Sequence, residues 1–309
     1  MSELQKLGMS PYGPATFAKS PLTSLDEDWE ADVVVMGVPF DLGVGFRPGA
    51  RWGPKSIRDM SVRFGGVGAG ASGFWDLRTR RTKGTARIVD VGDVEMVPLD
   101  WEQNFERITE AVRQIRKRGA TPFILGGDHA VTFPNVRGLA DDEPITVVHF
   151  DAHFDYRDEV SGVRYGHGNV LRRVRELPYV KKVISIGVRS LRTRAEDFAD
   201  FERDGNVCIP AWDVHEQGAA AFTDLLPSGE SIYITFDIDG MDPSIAPGTG
   251  TPEVGGLDFE QARTFLERSC TRNKLVGFDM VEVNPYFDPS HITGLLAAQL
   301  MIEVLGFVH

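Results

Sequence analysis

The feature that most constrains this chain is an alternation that begins at Asp32, where short β-branched runs are separated by longer stretches with helical spacing of their apolar residues. A parallel sheet with crossover helices is written this way, because parallel strands cannot be joined by a tight turn. The runs are VVVMGV at 33–38, RIVDVG at 87–92, PFILGG at 122–127, ITVVHFD at 145–151, KVISIGV at 182–188, IYITFD at 232–237 and LVGFDMVEV at 275–283. NVCIP at 206–210 is a weaker eighth. The clearest helix is predicted from Glu102 to Arg118. Phe105, Ile108, Val112 and Ile115 recur at helical spacing, Glu106, Arg107, Glu110 and Arg113 face elsewhere, and Gly119 supplies a left-handed stop. Similar patterns run from Asp258 to Cys270 and from Ile292 to Val304. There is no repeat, low-complexity tract or long linker, so a single α/β domain over 31–309 is expected. Before it, residues 1–30 carry Pro11, Pro14, Pro21 and the acidic run Asp26, Glu27, Asp28, and read as an arm laid over a surface.

Composition narrows the partners. A hydrophobic fraction of 42% with 25% charged residues is ordinary for a globular protein and argues against disorder on a large scale. A formal charge of -12 argues against nucleic acid or an anionic membrane, both of which reward clustered Lys and Arg. No apolar run approaches the roughly 20 residues that span a bilayer, and the first residues lack the apolar stretch of a signal peptide, so a cytoplasmic protein is expected. The two cysteines, Cys208 and Cys270, fit neither a metal pattern nor a disulfide framework and are expected as buried thiols.

Several strand runs end in residues able to hold a metal. In open parallel sheets the ligand site lies beyond the carboxyl ends of the strands, so such endings converge even when far apart in sequence. PFILGG leads into Asp128 and His129, ITVVHF into the segment 151–155, and IYITF into Asp237 and Asp239. Alternation along an extended segment puts Asp151, His153 and Asp155 on one side, with Ala152 and Phe154 on the other. Four carboxylates and two imidazoles carry more negative charge than a small site tolerates without cations, and two divalent ions would neutralise it. A DxD pair alone is more often a turn or cap than a metal site. The coincidence of three strands ending alike is what favours metal. His149, on the strand itself, reads as a satisfied core residue.

GGDH at 126–129, DAHFD at 151–155 and DIDGMDPSIAPGTGTPEVGG at 237–256 resemble the three metal-binding signatures of the ureohydrolase family of arginases and agmatinases. GVPFDLGVGFRPGARWGPKSIR at 37–58 and FDMVEVNPYFD at 278–288 are similar to further blocks of that family, and the agmatinase branch fits best. The resemblance implies a three-layer α/β/α sandwich with a mostly parallel sheet of about eight strands. It implies that His129, Asp151, Asp155 and Asp237 hold one metal and that Asp151, His153, Asp237 and Asp239 hold the second, with Asp151 and Asp237 bridging. Two manganese ions per subunit are implied, with nickel an alternative. It further implies His167 as the proton donor and Glu282 as the guanidinium anchor, and a trimeric or hexameric assembly.

The implied reaction is hydrolysis of a small guanidino substrate to urea and an amine, first of all agmatine. Guanidinobutyrate or guanidinopropionate, free guanidine, a formimino compound and a catalytically silent subunit are the alternatives. Departures from the family pattern concern the substrate tail. Phe154 and Tyr156 would narrow the pocket, and the loop 157–166 offers both signs of charge. Asp158 or Glu159 would receive an ammonium, whereas Arg157 or Arg164 would receive a carboxylate.

Overall fold

In a computed structural model of the chain, which describes residues 15–68, 72–140 and 144–308, all eight runs are strands of one sheet. They are β1 (Val33–Gly37), β4 (Ile88–Asp93), β5 (Thr121–Leu125), β6 (Ile145–Phe150), β7 (Val180–Val188), β8 (Val207–Pro210), β9 (Ser231–Asp237) and β10 (Lys274–Val281). The order is β4-β1-β5-β10-β9-β6-β7-β8, and every neighbouring pair is parallel. A separate antiparallel pair, β2 (Phe74–Asp76) with β3 (Arg81–Lys83), was not anticipated, because strands of three residues are too short to show a period.

Alternation along the strands sends side chains into two cores. Val33 and Val35 of β1 face one, with Ile57 of α1 (Gly53–Ser61), Phe265 and Leu266 of α8 (Phe259–Arg272), and Ala297 and Met301 of α9 (Ile292–Val308). Val34 and Met36 face the other, with Phe105, Ile108, Val112 and Ile115 of α3 (Trp101–Lys117), Val136 of α4 (Thr132–Arg137) and Leu171 of α5 (Val170–Arg175). The result is a three-layer α/β/α sandwich. The helices start where capping chemistry allows: Asp100 accepts the Gln103 N–H at 2.9 Å, and Asp258 forms a reciprocal capping box with Gln261. α9 extends four residues past the expected Val304, and its last turn packs Gly306 against the Phe74 ring.

Residues 1–14 of the expected arm, with Pro11 and Pro14, lie outside the described residues. Of the remainder, Phe17 and Ala18 are buried, their N–H groups donating to Asp90 Oδ2 and Ser61 Oγ at 2.8 Å each. Cys270 is buried as expected. Cys208 is half-buried, because β8 is an edge strand with one side uncovered. Among the described residues no helix is long and apolar enough to cross a membrane.

Candidate metal centre

Strands β5, β10, β9 and β6 are consecutive in the sheet, so their carboxyl ends lie side by side, and each delivers functional groups at that end. After β5 the chain turns through Gly126 and Gly127 to reach His129. A Cβ at Gly127 would collide with the Phe40 carbonyl oxygen, which explains the glycine. Beyond β6 come Asp151, His153 and Asp155, at the end of β9 come Asp237 and Asp239, and β10 leads into Glu282. Asp155 (φ 47°) and Glu282 (φ 61°) adopt a left-handed backbone that non-glycine residues rarely take. Such strain tends to be kept where a side chain must be aimed.

The buried imidazole of His129 is the centre of the first group. Its Nδ1 lies 3.0 Å from Asp155 Oδ2, 3.1 Å from Asp151 Oδ2 and 3.2 Å from Asp237 Oδ2, yet it makes a hydrogen bond with none of them. One nitrogen with three carboxylate oxygens at that spacing is what a coordination shell looks like, since neighbouring donors around a six-coordinate divalent ion sit about 3 Å apart. In the second group, His153 Nδ1 lies 3.2 Å from Asp151 Oδ1 and 3.3 Å from Asp239 Oδ2. Asp151 therefore turns one oxygen to each group.

Titration in this cluster pulls in opposite directions. Burial and the charges of Asp239 and Asp151 push the Asp237 carboxyl well above its usual range. Burial and the charge of Asp151 likewise raise Asp239. Asp151 is held well below the usual carboxylate value despite burial, because the imidazole of His129 stands against it and His149 and His153 bond to it. His153, whose burial alone would lower it, is pushed up to about 12 by Asp239 and Asp151. A set that draws in protons so strongly is short of positive charge, and its nitrogen and oxygen donors without thiolate suit divalent cations. His149 belongs with the supports. Although it lies within ligand distance of His129 and Asp151, its Nε2 donates to Asp151 Oδ2 at 2.8 Å and its Nδ1 pairs with Ser185 Oγ at 2.9 Å, which leaves no free lone pair.

His167 and Glu282 stand beside the first group. His167 Nδ1 lies 3.1 Å from Glu282 Oε1, which also accepts the His129 N–H at 3.0 Å, while among the described residues Glu282 Oε2 carries no hydrogen bond. The Gly45 N–H reaches His167 Nε2 at 3.3 Å. Burial and the Gly45 contact favour the neutral ring, but the hydrogen bond and charge of Glu282 outweigh them and hold His167 up to about 9.

These groups form one wall of a cavity of about 1150 Å³ that His153, Asp155, His167 and Asp237 line. Arg157 and Arg164 also line it, but Arg157 is bonded to Asp197 and to the Arg192 carbonyl, and Arg164 to Asp158. Asp158 is further held by Arg173, and Glu159 accepts the Gly162 N–H at 3.0 Å. Neither carboxylate is part of the lining. Phe154 and Tyr156 contribute to the wall, with their rings pinned on Phe201 of α6 (Ala195–Arg203).

The sequence reading passed over three contributors. Arg192 lines the cavity, and among the described residues its guanidinium has no partner. Buried Arg189 donates to the carbonyls of Asp239, Gly240, Met241 and Glu253, tying down the loop that carries Asp239. Thr251 Oγ1 donates to Asp239 Oδ2 at 3.0 Å. Arg192 and Arg189 follow the end of β7, where the strand-end rule would have found them had it been applied to cations as well as to ligands.

A sequence model of the arginase family matches residues 31–306. The chain belongs to the arginase family. It is 36% identical over 303 residues to the human mitochondrial guanidino acid hydrolase, covering 96% of this chain and 83% of that one. It is 35% identical over 303 residues to the mitochondrial agmatinase of Gallus gallus, covering 96% and 86%. The solved proclavaminate amidino hydrolase of Streptomyces clavuligerus superimposes with a TM-score of 0.84 at 30% identity, over 96% of this chain and 97% of that one. The fold is therefore arginase-like, and the chain is a ureohydrolase that cleaves an amidine C–N bond of a small guanidino compound. The family depends on a binuclear metal centre, and the paired groups around Asp151 are able to hold one.

Proposed function

We propose that this chain hydrolyses a linear guanidino acid to urea and an amino acid, and that two manganese ions serve the reaction. His129, Asp151, Asp155 and Asp237 would hold one ion, and Asp151, His153, Asp237 and Asp239 the other. The oxygen-rich set favours a hard cation, with nickel the alternative. When bound, such a pair lowers the pKa of water enough to supply hydroxide at neutral pH.

The remaining work falls to the chain's own side chains. The free Oε2 of Glu282 accepts from the planar guanidinium, which fixes the central carbon over the cluster. His167, on the cavity wall with its Nδ1 against Glu282, gives a proton to the departing amine nitrogen. Buried Phe154 and Tyr156 keep that wall rigid.

The observation that carries the substrate choice is the charge at the cavity wall. Among the described residues Arg192 is a cation there without a partner, whereas Asp158 and Glu159, the groups expected to greet an ammonium, are bonded elsewhere and off the lining. An anionic tail is therefore matched and the cationic tail of agmatine is not. The test is urea release by the manganese-loaded protein from guanidinobutyrate, guanidinopropionate, agmatine, free guanidine and a formimino acid. The highest kcat/KM is expected with a guanidino acid, and a preference for agmatine would overturn that choice. Urea from none of them would overturn the reaction. The assembly proposed is a trimer or hexamer, which sizing with light scattering measures.

A further inference from the structure

Behind the metal cluster lies a buried polar chain that takes no part in the chemistry above. His129 Nε2 pairs with Thr235 Oγ1 at 3.0 Å, Thr235 Oγ1 with Thr132 Oγ1 at 3.0 Å, and Thr132 Oγ1 with Asp279 Oδ2 at 2.9 Å. Asp279 Oδ2 also accepts from Tyr233 Oη at 2.6 Å and Asn135 Nδ2 at 3.1 Å. His129, Thr132, Thr235, Asp279, Tyr233 and Asn135 are all 0% exposed, so no water competes with these partners. Burial and the charge of Asp279 keep the Tyr233 phenol well above its usual value, so it stays a donor.

The polarity of this chain has only one solution. A carboxylate accepts, so the single hydroxyl proton of Thr132 goes to Asp279. Thr132 must then accept from Thr235, and Thr235, its own proton spent, must accept from His129 Nε2–H. A neutral imidazole with its proton on Nε2 has its lone pair on Nδ1, the atom that faces Asp151, Asp155 and Asp237. We infer that Asp279 is a positioning residue that acts through Thr132 and Thr235 to set the tautomer of His129 in which Nδ1 is free to bind a metal. Neighbours that orient a ligating histidine typically govern metal affinity. Without the Thr132 hydroxyl, the Thr235 proton has no acceptor but His129 Nε2, and turning to it favours the tautomer protonated on Nδ1, which cannot ligate.

This inference rests on the metal assignment proposed above, and a binding measurement separates the two. Manganese affinity is measured by competition with a chelator for the unsubstituted protein, Thr132→Val and Thr132→Ser, with melting temperature and kcat and KM at saturating manganese alongside. Thr132→Val is expected to bind one of its two ions about 10- to 100-fold more weakly. Thr132→Ser, which keeps the hydroxyl, should bind like the unsubstituted protein, and KM at saturating metal should not move. Thr132→Ala removes the same hydroxyl and serves if the valine variant does not fold. Unchanged affinity with a lowered melting temperature would make the chain merely structural and overturn the inference. Failure of the unsubstituted protein to bind manganese would instead overturn the metal assignment.

Discussion

At the residue scale, His167 and Arg192 are the side chains whose jobs are most exposed to test. His167→Asn keeps a polar group beside Glu282 but cannot give up a proton, so both metals should stay while kcat falls about 10²- to 10⁴-fold. The donor form of His167 is populated below its pKa, so the rate should fall as pH rises through about 9. Nearby cations repel a proton and move that limb downward, never upward. A pH–rate profile of both proteins checks this, and an alkaline limb that survives in His167→Asn would assign it to another group. Arg192→Ala should cost about tenfold in kcat/KM with a guanidino acid and little with uncharged guanidine, a modest figure because the residue is exposed and screened. Steady-state kinetics at two salt concentrations would show it. Residues of this kind divide sharply in how readable they are. His129 and the 151–155 and 237–239 groups stand out because each follows directly on the carboxyl end of a strand, where ligand sites of parallel sheets gather. The position of Arg192 after β7 was readable in the same way, but its lack of a partner among the described residues is a property of the packed molecule. The same limit hid the Thr132, Thr235 and Asp279 chain, in which groups far apart in sequence, on α4, β9 and β10, meet only in the packed molecule.

At the scale of elements, the eight strands were legible because burial on both faces leaves continuous apolar runs, and α3 because its apolar stripe faces one core. Helices α1, α4, α5 and α6 were not, being six to nine residues long with too few turns to show a period. The start of α9 depends on one carboxylate: Asp288 accepts the Thr293 N–H at 2.6 Å and bonds Ser290 N–H and Oγ. Burial opposes the charge of Asp288, but these hydrogen bonds hold it below the ordinary carboxylate value. A depressed carboxyl contributes stability that is present above its unfolded value of 3.8 and is lost as pH falls through its lower folded value. Asp288→Ala should therefore destabilise the protein by about 1 kcal/mol at neutral pH, typical of a lost cap, and by less in strong acid. Urea denaturation at two pH values measures the difference, and an equal loss at both would contradict the cap.

At the scale of the whole molecule, the cluster joins β5, β6 and β9, three of the four central strands, and presses four carboxylates together at their ends. Divalent ions there would relieve repulsion and, binding only the folded chain, would stabilise it by mass action, about 2.7 kcal/mol at a hundredfold excess over Kd. Chelation should lower the melting temperature and added manganese should restore it, whereas a melting curve indifferent to both would place the metals elsewhere.

In the proposed metal centre two cations share Asp151 at the carboxyl ends of these strands. Anomalous diffraction from manganese-loaded crystals, recorded on both sides of the manganese absorption edge, tests it most directly. The expected map has two peaks, one against His129 Nδ1 with Asp155 and one against His153 Nδ1 with Asp239, both touching Asp151 and Asp237. A single peak, or peaks away from these six side chains, would contradict it.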